Sequence, residues 1–156
     1  MSEARPSVEV PVDPDVDLRM PRQRRELVRR HGPVLGVIAL GGGLGALARY
    51  GLAQLWPTAP GHFPWATFIT NVAGCLLIGV LMALITEVWT AHRLVRPLLG
   101  TGVLGGFTTF STYAVEFHNL LRPNTIGLAF GYLAGTLVAA LPATMAGIWI
   151  VRKVAV

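Results

Sequence analysis

The chain has 156 residues, of which 53% are apolar and 13% charged, and its mean hydropathy is strongly positive; an ordinary soluble globule is excluded and a single integral membrane domain is expected. The net charge of +5 invites a nucleic-acid reading. Its placement opposes that reading: seven of the thirteen Lys and Arg precede residue 31 and most of the others fall between apolar runs, as for cations retained in the cytoplasm while helices insert.

Residues 1–32 form a distinct arm, first acidic and Pro/Val-rich, then basic (RMPRQRRELVRRHG). With little to bury, it is expected to be a disordered cytoplasmic arm that turns helical only at the membrane surface. It does not read as a secretory leader, because the next apolar run is too long and lacks a small-residue cleavage site.

Four apolar runs follow, at residues 34–56, 64–89, 98–121 and 126–151. Each is long enough to cross a hydrocarbon core of about 30 Å as a helix rising about 1.5 Å per residue. The links WPTAPGHF, TAHRLVRP and LRPN are short and carry turn-forming Pro, Gly and Asn. The expectation is a helical bundle spanning 33–153, with both termini and Arg93, Arg96, Arg152 and Lys153 on the cytoplasmic side and only Arg122 on the other.

The first run contains GGGLGALARY. Its glycines suit close helix packing, as do Gly74, Gly79, Gly127, Gly131 and Gly135 in later runs. The loose match of Gly41, Gly43 and Ala46 to a dinucleotide motif fails, since the next acid is Glu87. Arg49 either snorkels to the interface or pairs inside the bundle. In the second run Asn71 needs partners in hydrocarbon, as interhelical glue or as a donor lining a polar path. Cys75 has no partner for an intrachain disulfide, and packing is its default role.

The third run carries GGFTTFSTY at 105–113, poor helix-forming sequence rich in hydrogen-bonding groups. Irregular backbone at membrane depth persists only where protein or a polar cavity satisfies it, so a break is predicted over residues 105–108. Carbonyls freed there are hard ligands of the kind that hold Na⁺. Phe110 and Tyr113, three apart, are expected to share a helical side, with Glu116 a turn further; their ring edges are core, or weak attractors of an anion. In the fourth run Tyr132 and Thr136 share a face, where a hydroxyl commonly bonds back to its own helix.

Together GGGLGALARY, TNVAGCLLIG, GGFTTFSTYAVE and the Tyr132/Thr136 pair resemble the bacterial fluoride channels of the Fluc or CrcB family, in family order and spacing across 34–151. The resemblance implies an all-α membrane protein of four transmembrane helices, the third broken at its centre. It also implies an antiparallel dual-topology-type dimer with two fluoride pathways and a structural Na⁺ at its centre. Carried over by position, the carbonyls of Gly105 and Thr108 would hold Na⁺, Asn71 would be the pore amide and Phe110 the first pore ring. Tyr113 stands where the family has a second phenylalanine. Tyr132 and Thr136 match the tyrosine and hydroxyl of the last helix, Ala140 replaces the next hydroxyl, and Glu116 matches the family's acid. The implied activity is passive, fluoride-selective export across the bacterial inner membrane that relieves fluoride toxicity.

The strong cytoplasmic charge bias makes insertion of one sequence in both orientations difficult. The dimer partner is therefore expected to be a homologous, oppositely oriented subunit, with a homodimer as the alternative. A proton-coupled small multidrug exporter is the nearest competing reading, and it wants an acid deep in the first run, which holds none. An enzyme is not expected: Ser111 and His118 lie about 10 Å apart along a continuous helix, too far to act as nucleophile and base.

Overall fold

The computed structural model describes residues 21–89 and 92–155; the acidic part of the expected arm, residues 1–20, lies outside them. The chain divides into two units, 1–32 and 33–156. In the first, the described residues are helical from Pro21.

All regular structure among the described residues is helical: α1 (Pro21–Leu55), α2 (Trp65–Ala83), α3 (Gly105–Phe107), α4 (Ser111–Leu120) and α5 (Ile126–Ala155), with π-helical segments at Leu84–Val88 and Arg96–Leu104. Three of these stretches are long and apolar enough to cross a membrane, His31–Leu55, Trp65–Val88 and Ile126–Ala155. The third apolar run is not among them because it is made of separate helical pieces.

The turns follow from their residues. Pro57 has no amide proton and disfavours helix in the residue before it, so α1 stops at Leu55. Gly61 takes φ 79°, a conformation that favours glycine. At the turn between α4 and α5 the Thr125 hydroxyl donates to the Leu120 carbonyl at 2.8 Å, covering the end of α4.

Contacts fix the relative directions within the second unit. Near the start of α2, Phe63 packs on Tyr132, near the start of α5. Further along, Gly79 meets Thr144, and at the far ends Glu87 accepts two hydrogen bonds from Arg152 Nε, at 2.9 and 3.1 Å, and one from Nη2 at 2.6 Å. The two helices therefore run parallel. The third run opposes both, since Thr67, Asn71 and Gly74 meet Glu116, Thr109 and Thr108 in reverse order. Residues 33–55 of α1 run parallel to the third run, with Gly41 against Leu98 and Gly45 against Phe107. The result is an up-and-down arrangement of residues 33–55 of α1, α2, the third run and α5.

Glycines make two of these contacts close. A Cβ on Gly41 or Gly45 would overlap the backbone of the third run, and one on Gly102 or Gly106 would meet that of α1. Gly79 and Gly147 do the same between α2 and α5. Such backbone approach supplies the packing that a bilayer does not drive by hydrophobicity. Gly43, Gly127, Gly131 and Gly135, read from sequence as packing glycines, face open space in this chain instead.

The core gathers at one end, where Tyr113, Leu120, Ala129 and Tyr132 are buried against Phe63, Phe68, Phe117 and Leu133. Elsewhere many apolar side chains of α1 and α5 are exposed, as suits helices whose solvent is lipid or a second subunit.

Candidate functional site

The third run breaks at Thr108, the last residue of the expected stretch 105–108. Gly105–Phe107 remain helical, Thr108 turns extended at φ −72°, ψ 156°, and α4 restarts at Ser111. Gly106 is needed where α1 comes close and serves packing, whereas a Cβ on Gly105 would meet only the Gly100 carbonyl at an ordinary 3.8 Å. The helix is interrupted where substitute partners exist for its backbone.

Those partners come from two neighbouring spans. Asn71 Nδ2 donates to the Thr109 carbonyl and Asn71 Oδ1 accepts the Thr109 amide, both at 2.9 Å. Arg49 Nε donates to the Gly106 carbonyl at 3.3 Å, so this arginine pairs inside the bundle. On the lower side of the break, the Thr108 amide and hydroxyl both donate to Leu104, each at 2.9 Å. On the upper side, the Thr109 hydroxyl oxygen accepts the Thr112 amide at 3.2 Å and caps the first turn of α4.

This bookkeeping releases two carbonyls. In a continuous helix the amide of Thr109 would bond Gly105 and that of Thr112 would bond Thr108. Here those amides are engaged by Asn71 and by the Thr109 side chain. The residues assigned from sequence to a cation are thus the ones whose helix donors are spent elsewhere.

Beside the break lies a groove of about 540 Å³. Asn71, Thr108, Thr109, Phe110, Tyr113 and Thr136 line it, together with glycine and apolar side chains, and no charged residue contributes. Four of the five residues assigned to an anion path are thereby brought together. The fifth, Tyr132, is fully buried behind them.

Phe110 and Tyr113, three apart, both line the groove but differ in burial. Phe110 precedes α4 and is 79% exposed, whereas Tyr113 is inside α4 and only 5% exposed. Their rings are nevertheless 6.0 Å apart, and Tyr113 is 5.0 Å from Tyr132. The series continues through Phe63, 5.3 Å from Tyr132 and nearly perpendicular to it.

The hydroxyl protons are committed. Tyr113 donates to the Leu133 carbonyl at 2.7 Å, and Thr136 to the Tyr132 carbonyl at 2.8 Å, the back-bonding common for such residues. Tyr132 donates to Glu116 Oε2 at 2.7 Å, and Thr67 to Glu116 Oε1 at 2.9 Å. Asn71 keeps one amide proton beyond the one it gives Thr109.

Glu116 also borders a second recess of about 370 Å³, formed by the loop after α1 and the end of α4 and lined in part by His62, Asn119 and Arg122. Its carboxyl therefore stands between that recess and the aromatic core. Tyr132→Phe is expected to lower stability by about 1–3 kcal/mol, because it strips one partner from this carboxyl; the thermal midpoint in detergent measures the loss.

The family model described as CrcB-like protein, Camphor Resistance (CrcB), matches residues 36–148. The chain belongs to the CrcB family. Among its relatives, the fluoride-specific ion channel FluC 2 of Nocardia farcinica is 59% identical over 114 residues, which cover 73% of this chain and 81% of the relative. The protein of the same name from Streptomyces avermitilis is 56% identical over 125 residues, covering 80% and 79%. Fluoride-specific ion channel FluC 1 of Streptomyces coelicolor is 55% identical over 126 residues, covering 81% and 82%.

In this CrcB member, sequence reasoning missed Thr67 and Thr109. Thr67 lies four residues before Asn71, on the same face of α2, and that spacing was a usable signal. Nothing local marked Thr109, whose backbone becomes a ligand only when α2 and the third run come together.

Proposed function

We propose that this chain is the subunit of a fluoride-selective channel through which cytoplasmic F⁻ leaves passively across the bacterial inner membrane, relieving fluoride toxicity. The groove at the break, lined by amide, hydroxyl and aromatic groups without a cation, is the observation that carries the reading. Membership of a family whose relatives are named fluoride-specific channels supports it.

Fluoride is small and strongly hydrated, so a path for it exchanges water for several donors while holding the ion weakly enough to let go. The pathway is assigned to Asn71, Phe110, Tyr113, Tyr132 and Thr136. Asn71 offers its second amide proton, and the edges of the Phe110 and Tyr113 rings carry partial positive charge. Thr136 donates after its hydroxyl rotates away from Tyr132, whose carbonyl is still within the α5 helix ladder. Tyr132 shapes the wall from behind and holds Glu116. The start of α4 adds the positive end of a helix dipole at the groove. A full cation in this lining would retain the ion.

A structural Na⁺ fits the carbonyls of Gly105 and Thr108, which are neutral hard donors released from their helix partners. When bound, it supplies positive charge and rigidity at the break. Two carbonyls are too few for a closed shell, so the site belongs at the centre of an antiparallel dimer that contributes a second set. The charge bias favours a homologous, oppositely oriented partner over a second copy, with both termini of this chain cytoplasmic. A conducting, antiparallel homodimer obtained from the purified chain alone would refute the partner assignment.

The function is tested by fluoride-electrode efflux from liposomes loaded with fluoride and containing this chain, alone and co-reconstituted with a homologous subunit. Efflux above protein-free vesicles that needs no proton gradient is expected. Efflux of organic cations driven by a proton gradient, with no fluoride release, would favour the exporter reading instead.

A further inference from the structure

We infer that the Tyr113 hydroxyl is a positioning and affinity-setting group for fluoride: bolted to the Leu133 carbonyl, it locks its ring across the groove and leaves oxygen lone pairs there instead of a proton. The inference rests on the reading that the groove conducts fluoride.

Three observations carry it. Tyr113 lines the groove yet is only 5% exposed, so its ring is gripped by the core and has no room to swing. Its hydroxyl reaches across from α4 to α5 and donates to Leu133 at 2.7 Å. A phenol has a single proton. Once that proton is directed to Leu133, the oxygen acts toward any other neighbour as an acceptor, which repels an anion. The ring edge and the hydroxyl of this residue therefore act in opposite senses on fluoride, attraction from the ring hydrogens and repulsion from the oxygen. Phe110, 6.0 Å away and largely exposed, has the ring without that opposition.

The same bond ties α4 to α5 next to Thr136, whose hydroxyl must rotate to meet the ion. With Tyr113 fixed, the width of the groove at this level is fixed as well. Removing the hydroxyl while keeping the ring separates these effects from simple packing.

The test is the fluoride-concentration dependence of efflux for wild type, Tyr113→Phe and Tyr113→Leu in liposomes of one composition, each checked for folding by its thermal midpoint. Tyr113→Phe is expected to lower the half-saturating fluoride concentration several-fold and to raise efflux at low fluoride, even with a reduced thermal midpoint. Tyr113→Leu, lacking the ring edge, is expected to raise the half-saturating concentration. A merely structural bolt would change the maximum rate alone, so an unchanged half-saturating concentration in folded Tyr113→Phe overturns the inference while leaving the channel reading intact. Failure of Tyr113→Phe to fold while Tyr113→Leu folds with wild-type fluoride dependence overturns it too. Background leakage from the wild type and both variants, with and without a homologous subunit, would bring down the channel reading and this inference with it.

Discussion

Asn71→Leu should leave little folded protein, whereas Asn71→Asp should fold and conduct poorly. The leucine removes both partners of Thr109, an amide and a carbonyl that now pair with Asn71 at 2.9 Å. Each orphaned backbone group costs about 1–3 kcal/mol, so the pair costs roughly 2–6 kcal/mol, a large fraction of the about 5–15 kcal/mol that holds a typical domain folded. A neutral aspartic acid keeps one donor and one acceptor for Thr109. It lacks the second amide proton, which is the one available to an ion in the groove. Losing a hydrogen bond to a charged species is worth about 1.5–3 kcal/mol, which corresponds to a roughly tenfold to hundredfold drop in fluoride efflux. Thermal midpoints and efflux rates of the two variants, measured together, separate the clamp from the donor. Equal behaviour of the two would contradict the division of labour assigned to this side chain.

The second large effect is expected at Gly106. Its Cβ position is occupied by the backbone of Gly42, so Gly106→Ala forces α1 away from the third run. Overpacking of this kind typically costs about 1–3 kcal/mol and more where backbone has to move. It also shifts the Gly106 carbonyl away from Arg49, which now donates to it at 3.3 Å. Gly36→Ala is the control, since nothing lies within 4 Å of that position; alanine there is expected to be neutral within about 0.5 kcal/mol, as for substitutions away from packed features. Detergent thermal melts that rank the two alike would show that the close approach of α1 and the third run does not hold the bundle.

The contrast between these glycines shows what was legible in the sequence. Lengths of apolar runs, turn residues and the break in the third run follow from local composition, because the bilayer leaves few other solutions. Which glycine meets backbone does not. Gly41 and Gly131 look alike as letters, and only the pairing of α1 with the third run makes the first indispensable to packing while the second faces outward.

The break illustrates the same limit at higher resolution. Local propensity placed it over residues 105–108, without telling that the helix continues through Gly105–Phe107 and yields only at Thr108, next to the Thr109 backbone that Asn71 from another span engages. Phe110 and Tyr113 were expected on one side of a helix. Both rings do reach the groove, but the core covers Tyr113 and leaves Phe110 largely exposed, a difference that their spacing does not carry. The committed protons of Tyr113, Tyr132 and Thr136 were equally invisible, since each acceptor is a carbonyl or carboxyl whose position depends on the fold.

The central claim is that fluoride crosses passively beside the break. Its most direct test is the reversal potential of a planar bilayer containing this chain together with a homologous, oppositely oriented subunit, under a fluoride gradient with equal chloride on both sides. A reversal potential at the fluoride equilibrium value, with the current lowered roughly tenfold to a hundredfold by Asn71→Asp in this chain, is the predicted result. A reversal at zero, or a fluoride current indifferent to Asn71, would contradict the account.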